Sequence, residues 1–206
     1  MHADEQLNDA NFPKHPEKAT LEGKNKFLGF WLFLGGETVL FATLFGTYLG
    51  LRHMNMDGPT TEELFKLPTV FLATMLLLTS SLTSVYAVLA LKQNRVKSLQ
   101  GWFFVTLLLG LCFLGLEVYE FNEYVHEGHT FTSSAFGSAF YTLVGFHGGH
   151  VAFGCLWIIT LLVRNWNRGI TLVNAPKYYL FALYWHFVDV VWVFIFTVVY
   201  LMGKVG

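Results

Sequence analysis

LPTVFLATMLLLTSSLTSVYAVLAL, residues 67–91, runs its whole length without a charged side chain. A bilayer hydrocarbon core is about 30 Å thick, and a helix rising ~1.5 Å per residue crosses it in about 20 apolar residues. The stretch is too long for a strand and lacks strict alternation, which leaves a transmembrane helix. Pro68 stands at its start, where a missing N–H costs little. Four other stretches share this character. Phe27–Leu51 carries one charge, Glu37, and Leu99–Leu116 carries none and continues toward Glu120. Ala135–Val163 is uncharged but holds His147 and His150, and Tyr178–Met202 carries Asp189 and His186. The expected fold is an all-α, polytopic bundle of five transmembrane helices, at about 27–51, 67–91, 99–120, 135–163 and 178–202. A polar tail, residues 1–26, precedes this membrane domain, residues 27–206.

The composition agrees. Of 206 residues only 13% are charged and 54% are hydrophobic, against roughly 25% charged in soluble domains. Nine of the 27 charges fall in residues 1–26. A soluble enzyme, a disordered chain and a disulfide scaffold are excluded on these grounds. The net charge of −1 gives no basic field for nucleic acid. The polar, Pro13- and Pro16-containing tail lacks the apolar run of a signal peptide. Cys112 and Cys155 lie in apolar stretches and are expected to be buried, inert thiols. Gly46 with Gly50, and Gly145 with Gly149, form GxxxG pairs, which predicts close helix approach there.

Lys and Arg set the expected orientation. With five spans, Lys14, Lys18, Lys24, Lys26, Lys92, Arg95, Lys97, Arg164, Arg168 and Lys177 share a side, opposite Arg52, Lys66 and Lys204. The richer side is expected to be cytoplasmic, so the N-terminus lies inside and the C-terminus outside. Trp102 and Trp166 then fall in the cytoplasmic aromatic belt.

Ionisable groups at membrane depth are costly, so each marks a candidate site. Glu37, His147, His150, His186 and Asp189 all sit near the centres of their spans and are expected to share one slab of the bilayer. Glu37 reads either as a proton-linked or lipid-contacting carboxyl, or as a neutral acid bonded to a neighbouring helix. His147 and His150 share a helical face, as do His186 and Asp189. Such pairs suit Zn, Fe or Mn. The competing reading is hydrogen bonding between packed helices, with His186 and Asp189 as a local pair, and no metal ligands. Glu117 and Glu120 end the third span near the outer face, followed by Glu123, His126, Glu127 and His129. They read as a water-capped acidic loop or as a negative patch for a basic partner. A Ser–His–Asp arrangement, a phosphate loop and the inverted repeats of a proton-coupled transporter are not seen.

These residues carry a resemblance. LVGFHGGHVAFG (143–154) and YWHFVDVVW (184–192) resemble the two signature helices of subunit III of the haem–copper oxidases. GFWLFLGGE (29–37) resembles that family's helix with a mid-membrane glutamate, and residues 110–120 its helix ending in Glu before an aromatic residue. The likeness runs from about Phe27 to Gly203. It implies an accessory subunit with no haem or copper of its own and no catalytic residue, in a terminal oxidase that reduces dioxygen and pumps protons. It further implies packing on subunit I, which holds the redox centres, with subunit II and a small subunit IV nearby, and bound phospholipid. Glu37 would match the buried carboxylate near subunit I, and His147, His150, His186 and Asp189 the interhelical polar core. Five helices in place of the mitochondrial seven imply a short, Bacillus-like form in a bacterial plasma membrane. The wording around His147 favours the cytochrome c branch over the quinol branch.

Overall fold

The computed structural model describes residues 13, 15–52, 67–126, 135–167 and 169–202. Lys14, Lys66, Glu127, His129, Arg168 and Lys204, all named above, lie outside them. Five helices carry the fold: α1 (Leu21–Leu51), α2 (Leu67–Lys92), α3 (Val96–His126), α4 (Ala135–Asn165) and α5 (Ala175–Ile195), the last prolonged by a π-helical stretch over Phe196–Leu201. All are long and apolar enough to cross a membrane, with mean hydropathy of 1.6 to 2.0 over their best windows. The chain is an all-helical membrane protein.

Helix ends follow local chemistry. α1 starts at Leu21, ahead of Phe27, because the Thr20 hydroxyl caps the turn by accepting from Gly23 N–H at 3.0 Å, and Glu22 pairs with Lys26 one turn on. α2 stops at an Asn. Asn94 adopts φ 55°, Arg95 N–H donates to Ala90 O at 3.0 Å and Asn94 N–H to Leu91 O at 3.1 Å. This is a Schellman stop, and it turns the chain directly into α3. α3 runs past Glu120 to His126, because Phe113, Glu117, Glu120 and Tyr124 all fall on its buried face.

Alternate crossing makes α1 antiparallel to α4 and α2 antiparallel to α5, while α1 and α5 run parallel, with Phe27 beside Tyr179 and Phe45 beside Phe194. Along α1 and α4, Phe30 meets Trp157 and Tyr48 meets Phe136. Along α2 and α5, Ser80 meets Trp185 and Thr74 meets Trp192. α5 sits centrally, packing on α1, α2 and α4, and half of its apolar window is buried (50%) against 11% for α1. Beyond Gly23 in its first turn, α1 buries only the narrow heptad stripe Leu34, Phe41 and Tyr48 among its described residues. Its remaining surface exposes Trp31, Leu32, Phe33 and Val39.

The close approaches lie elsewhere than the GxxxG pairs. A Cβ at Gly46, Gly50, Gly145 or Gly149 would meet nothing within 4 Å. At Gly110 it would lie 2.8 Å from Trp185 Cη2, and at Gly154 2.7 Å from Trp185 Cζ3. Trp185 of α5 thus wedges its ring between α3 and α4, while its indole N–H donates to Ser80 Oγ of α2 at 2.9 Å. The thiols also divide: Cys155 is buried, but Cys112 is exposed on the outer surface of α3.

Candidate functional site

The mid-depth polar residues form three separate arrangements. In the first, Glu37 of α1 faces His150 of α4, with Oε2 3.0 Å from Nε2. His150 Nδ1 lies 2.6 Å from the Phe146 carbonyl one turn earlier. A carbonyl only accepts, so Nδ1 carries a hydrogen. Nε2 then either bears a second proton against a carboxylate or accepts one from the neutral acid. In both cases a single proton sits between Glu37 and His150. Tyr184 of α5 braces the pair by donating its hydroxyl to the His150 carbonyl at 2.9 Å. Phe41 packs on the imidazole with ring centres 5.1 Å apart.

This pair is not sealed. Glu37 and His150 side chains each remain 18% exposed. His150 and Tyr184 line a groove of about 550 Å³ with Phe33, Gly145, Phe146, Gly149 and Phe153. Gly145 and Gly149 therefore shape an open face of α4, where the absent side chains leave room beside the imidazole.

The second arrangement joins α2 to α5. Ser81 Oγ lies 2.7 Å from His186 Nδ1, and the Asp189 carboxylate lies beside the same hydroxyl. The expected local His186–Asp189 pair is thus replaced by a serine between them. The hydroxyl separates the acid from the imidazole, so the trio lacks the acid-oriented histidine of a nucleophilic triad. Trp192 Nε1 to Thr74 Oγ1, at 3.0 Å, and Trp185 to Ser80 continue this seam. Thr83 and Thr106 link α2 to α3 at 2.8 Å.

The third arrangement departs most from expectation. Glu117 and Glu120 are 7% and 6% exposed; they point into the bundle and do not form a water-capped outer loop. Both Glu117 oxygens lie against Gly148 of α4, where a Cβ would approach them to 2.5 and 2.6 Å. Neither has a hydrogen-bond partner among the described residues. His147 is fully buried and likewise lacks a hydrogen-bonding partner there. Its ring stacks on Trp192 at 5.1 Å and meets Phe113 edge-on at 5.9 Å. It is an aromatic-packed imidazole, where a hydrogen-bonding bridge was expected.

The expected slab exists in depth but does not converge. Contacts place Glu37, His150 and Tyr184 at one level, and Ser81 with His186 close by, yet α5 divides the two groups. Among the described residues no three His, Cys, Asp or Glu side chains gather as a metal would require. Ser80, Ser81, Thr74, Tyr184 and Gly148 were not singled out in the sequence. Their signal lies only in antiparallel pairing with α5 and α3.

Comparison with known proteins bears directly on these helices. The family model for cytochrome c oxidase subunit III matches residues 7–204. Cytochrome c oxidase subunit 3 of Bacillus sp. (strain PS3) is 70% identical over 207 residues, covering 100% of both chains. The subunit 3 of Bacillus subtilis (strain 168) is 64% identical over the same coverage. A probable quinol oxidase subunit 3 of Staphylococcus saprophyticus is 48% identical, over 89% of this chain and 92% of the relative. All the arrangements above fall inside the matched span, and the chain belongs to the cytochrome c oxidase subunit III family, within the haem–copper oxidases.

Proposed function

We propose that the chain is the accessory third subunit of a proton-pumping terminal oxidase fed by cytochrome c, in a bacterial plasma membrane. It holds no redox centre and packs on subunit I, which carries the haems and copper. Subunit II and a small fourth subunit complete the complex. The N-terminus lies in the cytoplasm and the C-terminus outside, as the distribution of Lys and Arg requires. The cytochrome c assignment draws on the names of relatives at 70% and 64% identity, against 48% for the quinol type.

One observation carries the reading of the site. The Glu37–His150 pair holds its proton beside an open groove that His150 lines, next to α1, most of whose apolar outer surface none of the other described residues covers. A partly exposed ionisable pair in hydrocarbon is costly. A neighbouring membrane subunit, or ordered lipid between the two, would complete its shell. Glu37 therefore acts at the contact with subunit I, as a positioning and proton-holding group near that subunit's uptake path. His186 and Asp189 tie α5 to α2, and His147 fills the aromatic core. Phospholipid lies against the outer surface.

Co-purification tests this. An affinity tag on the chain should bring down a haem-bearing subunit at one haem-containing partner per chain, and the complex should oxidise reduced cytochrome c faster than a quinol. Isolation of the chain with stoichiometric iron or copper of its own, or without a haem subunit, would overturn the accessory role. Preference for quinol would overturn the donor assignment alone.

A further inference from the structure

We propose that residues 15–18 form a strap that locks the first turns of α1 onto α5 and α2, with the buried Glu17 carboxylate as its latch, and that this strap sets how closely α1 brings Glu37 to His150. The segment precedes α1 and folds into one 3-10 turn, Pro16–Lys18, closed by Lys18 N–H donating to His15 O at 3.1 Å. It packs on both α1 and α5. Pro16 and Glu17 are buried, although His15 and Lys18 on either side are exposed. A polar segment ahead of the first helix is ordinarily solvated and loose. A buried acid within it marks a fixed contact.

The contact is tight at the backbone. Gly23, in the first turn of α1, is buried, and a Cβ there would stand 2.6 Å from the Glu17 carbonyl oxygen. Glycine at this position lets the strap lie against the helix. Side chains then carry the junction outward. Lys18 Nζ lies 5.2 Å from the centre of the Phe27 ring. Phe27 meets Tyr179 of α5 at 6.1 Å, and Lys92 Nζ, at the end of α2, lies 5.7 Å from the Tyr179 ring centre. Glu17 closes this circle of contacts. Its Oε1 is 3.3 Å from His15 Nδ1, and Lys92 lies within electrostatic reach. Its Oε2 is buried with no hydrogen-bond partner among the described residues. A desolvated carboxylate held by one histidine and a more distant lysine keeps the strap docked by a narrow margin.

The strap matters because α1 is lightly held at this end. After Gly23 the next buried residue of the helix is Leu34, three turns on. Leu21 and Leu28 are 75% and 66% exposed, and between them and Leu34 only the ring contacts of Phe27 and Phe30 reach α5 and α4. Thr38, Thr43 and Thr47 bond back to their own helix, whereas Glu37 bonds to α4. The strap and the Glu37–His150 bond are thus two polar ties of α1, about 21 Å apart along its axis. Phe33 of α1 forms one wall of the groove beside His150, and Gly145 and Gly149 of α4 form the other. Swinging the start of α1 away from α5 would widen that groove and pull on the bond. The strap stands on this geometry, whichever subunit covers α1.

Hydrogen exchange of the assembled complex, read by mass spectrometry over residues 19–30 and 31–40, tests the strap. Glu17→Ala should speed exchange over residues 19–30 about tenfold, the effect of losing one charge-assisted contact, and should raise it over residues 31–40 as well. Glu17→Gln keeps the shape, removes the charge and should act in the same direction. Gly23→Ala leaves the carboxyl in place but pushes the strap off the helix. It should reproduce the faster exchange even though alanine favours the helix, so a folding failure of one variant does not decide the matter. Glu22→Ala, which breaks the exposed pair with Lys26, should leave residues 31–40 unchanged. Unchanged exchange over residues 19–30 in both Glu17→Ala and Gly23→Ala would overturn the strap. Wild-type behaviour of Glu17→Gln would overturn the charged latch, and faster exchange confined to residues 19–30 would overturn the link to Glu37.

Discussion

Replacing Gly154 by Ala should open the junction at Trp185, although the same change is favourable in an isolated helix. Ala gains about 1 kcal/mol of helix propensity over Gly. Against that, the new Cβ would lie 2.7 Å from Trp185 Cζ3, 2.9 Å from Cε3 and 3.2 Å from Tyr184 Cε1. These are rigid ring atoms, and Trp185 cannot retreat. On its other edge Gly110 would leave a Cβ 2.8 Å from Cη2, and its N–H is held by Ser80. Overpacking of this kind costs about 1–3 kcal/mol, and stretching the buried indole hydrogen bond about 1 kcal/mol more. The steric and polar losses win, leaving a net cost of about 1–3 kcal/mol. At about 2–4 °C per kcal/mol for a chain of this size, the loss is visible in thermal unfolding of the detergent-solubilised complex. Cys155 is a second reporter, because its Sγ lies 3.2 Å from the Gly110 Cβ position. Its maleimide labelling, in a Cys112→Ser background, should accelerate in Gly154→Ala. Gly46→Ala, with open space around its Cβ, should be neutral or stabilising. In a Trp185→Leu background the Gly154→Ala penalty should vanish, which a double-mutant cycle measures directly. If Gly154→Ala and Gly46→Ala unfold alike, or the penalty persists without the indole, Trp185 is not the wedge described.

Glu37→Ala should leave the haem spectra of the complex intact but shorten its turnover lifetime or release the chain during detergent washing, with a cost of about 1–3 kcal/mol for the stranded imidazole. Glu37→Gln can still donate to a neutral His150 and should retain assembly, so loss of turnover stability in that variant isolates the role of the shared proton. Glu117→Met should be neutral or stabilising by up to a few kcal/mol in thermal unfolding, because it removes a buried carboxyl of similar volume that has no hydrogen-bond partner among the described residues; strong destabilisation would mean that Glu117 is well satisfied where it sits against Gly148.

The five spans were legible because the lack of charge is a one-dimensional property, and a bilayer reads the chain in one dimension. Ends were less so. The six residues before Phe27, four of them polar, belong to α1 through the Thr20 cap and the Glu22–Lys26 pair, signals that hydropathy does not weigh. Rotation about each helix axis was the main loss. GxxxG spacing pointed to Gly46, Gly50, Gly145 and Gly149, yet the glycines that admit a neighbour are Gly110, Gly148 and Gly154, because their neighbours are a tryptophan ring and a carboxyl. For Glu117 and Glu120 a helical-face count was available: Phe113 and Tyr124 stand four residues before Glu117 and four after Glu120 on the buried side of α3. The rarity of buried carboxylates argues for an aqueous loop; the spacing is the better guide.

Depth alone therefore does not separate structural from functional polar groups in this bundle; lateral position does. His186 and Asp189 meet Ser81 within the α2–α5 seam, and His147 is closed in by Trp192 and Phe113. Their neighbours are supplied by this chain, and altering them perturbs packing first. Glu37 and His150 also satisfy one another, but they do so where the least buried helix, α1, meets α4, beside a groove held open by glycine. A helix whose buried positions are Gly23, Leu34, Phe41 and Tyr48 exposes most of its surface to whatever lies outside. Bare lipid would suit those side chains but not a proton shared at mid-depth between two side chains that are each 18% exposed. The pair is thus better explained by a neighbour outside this chain than by its own packing, which is what the proposed contact with subunit I would supply.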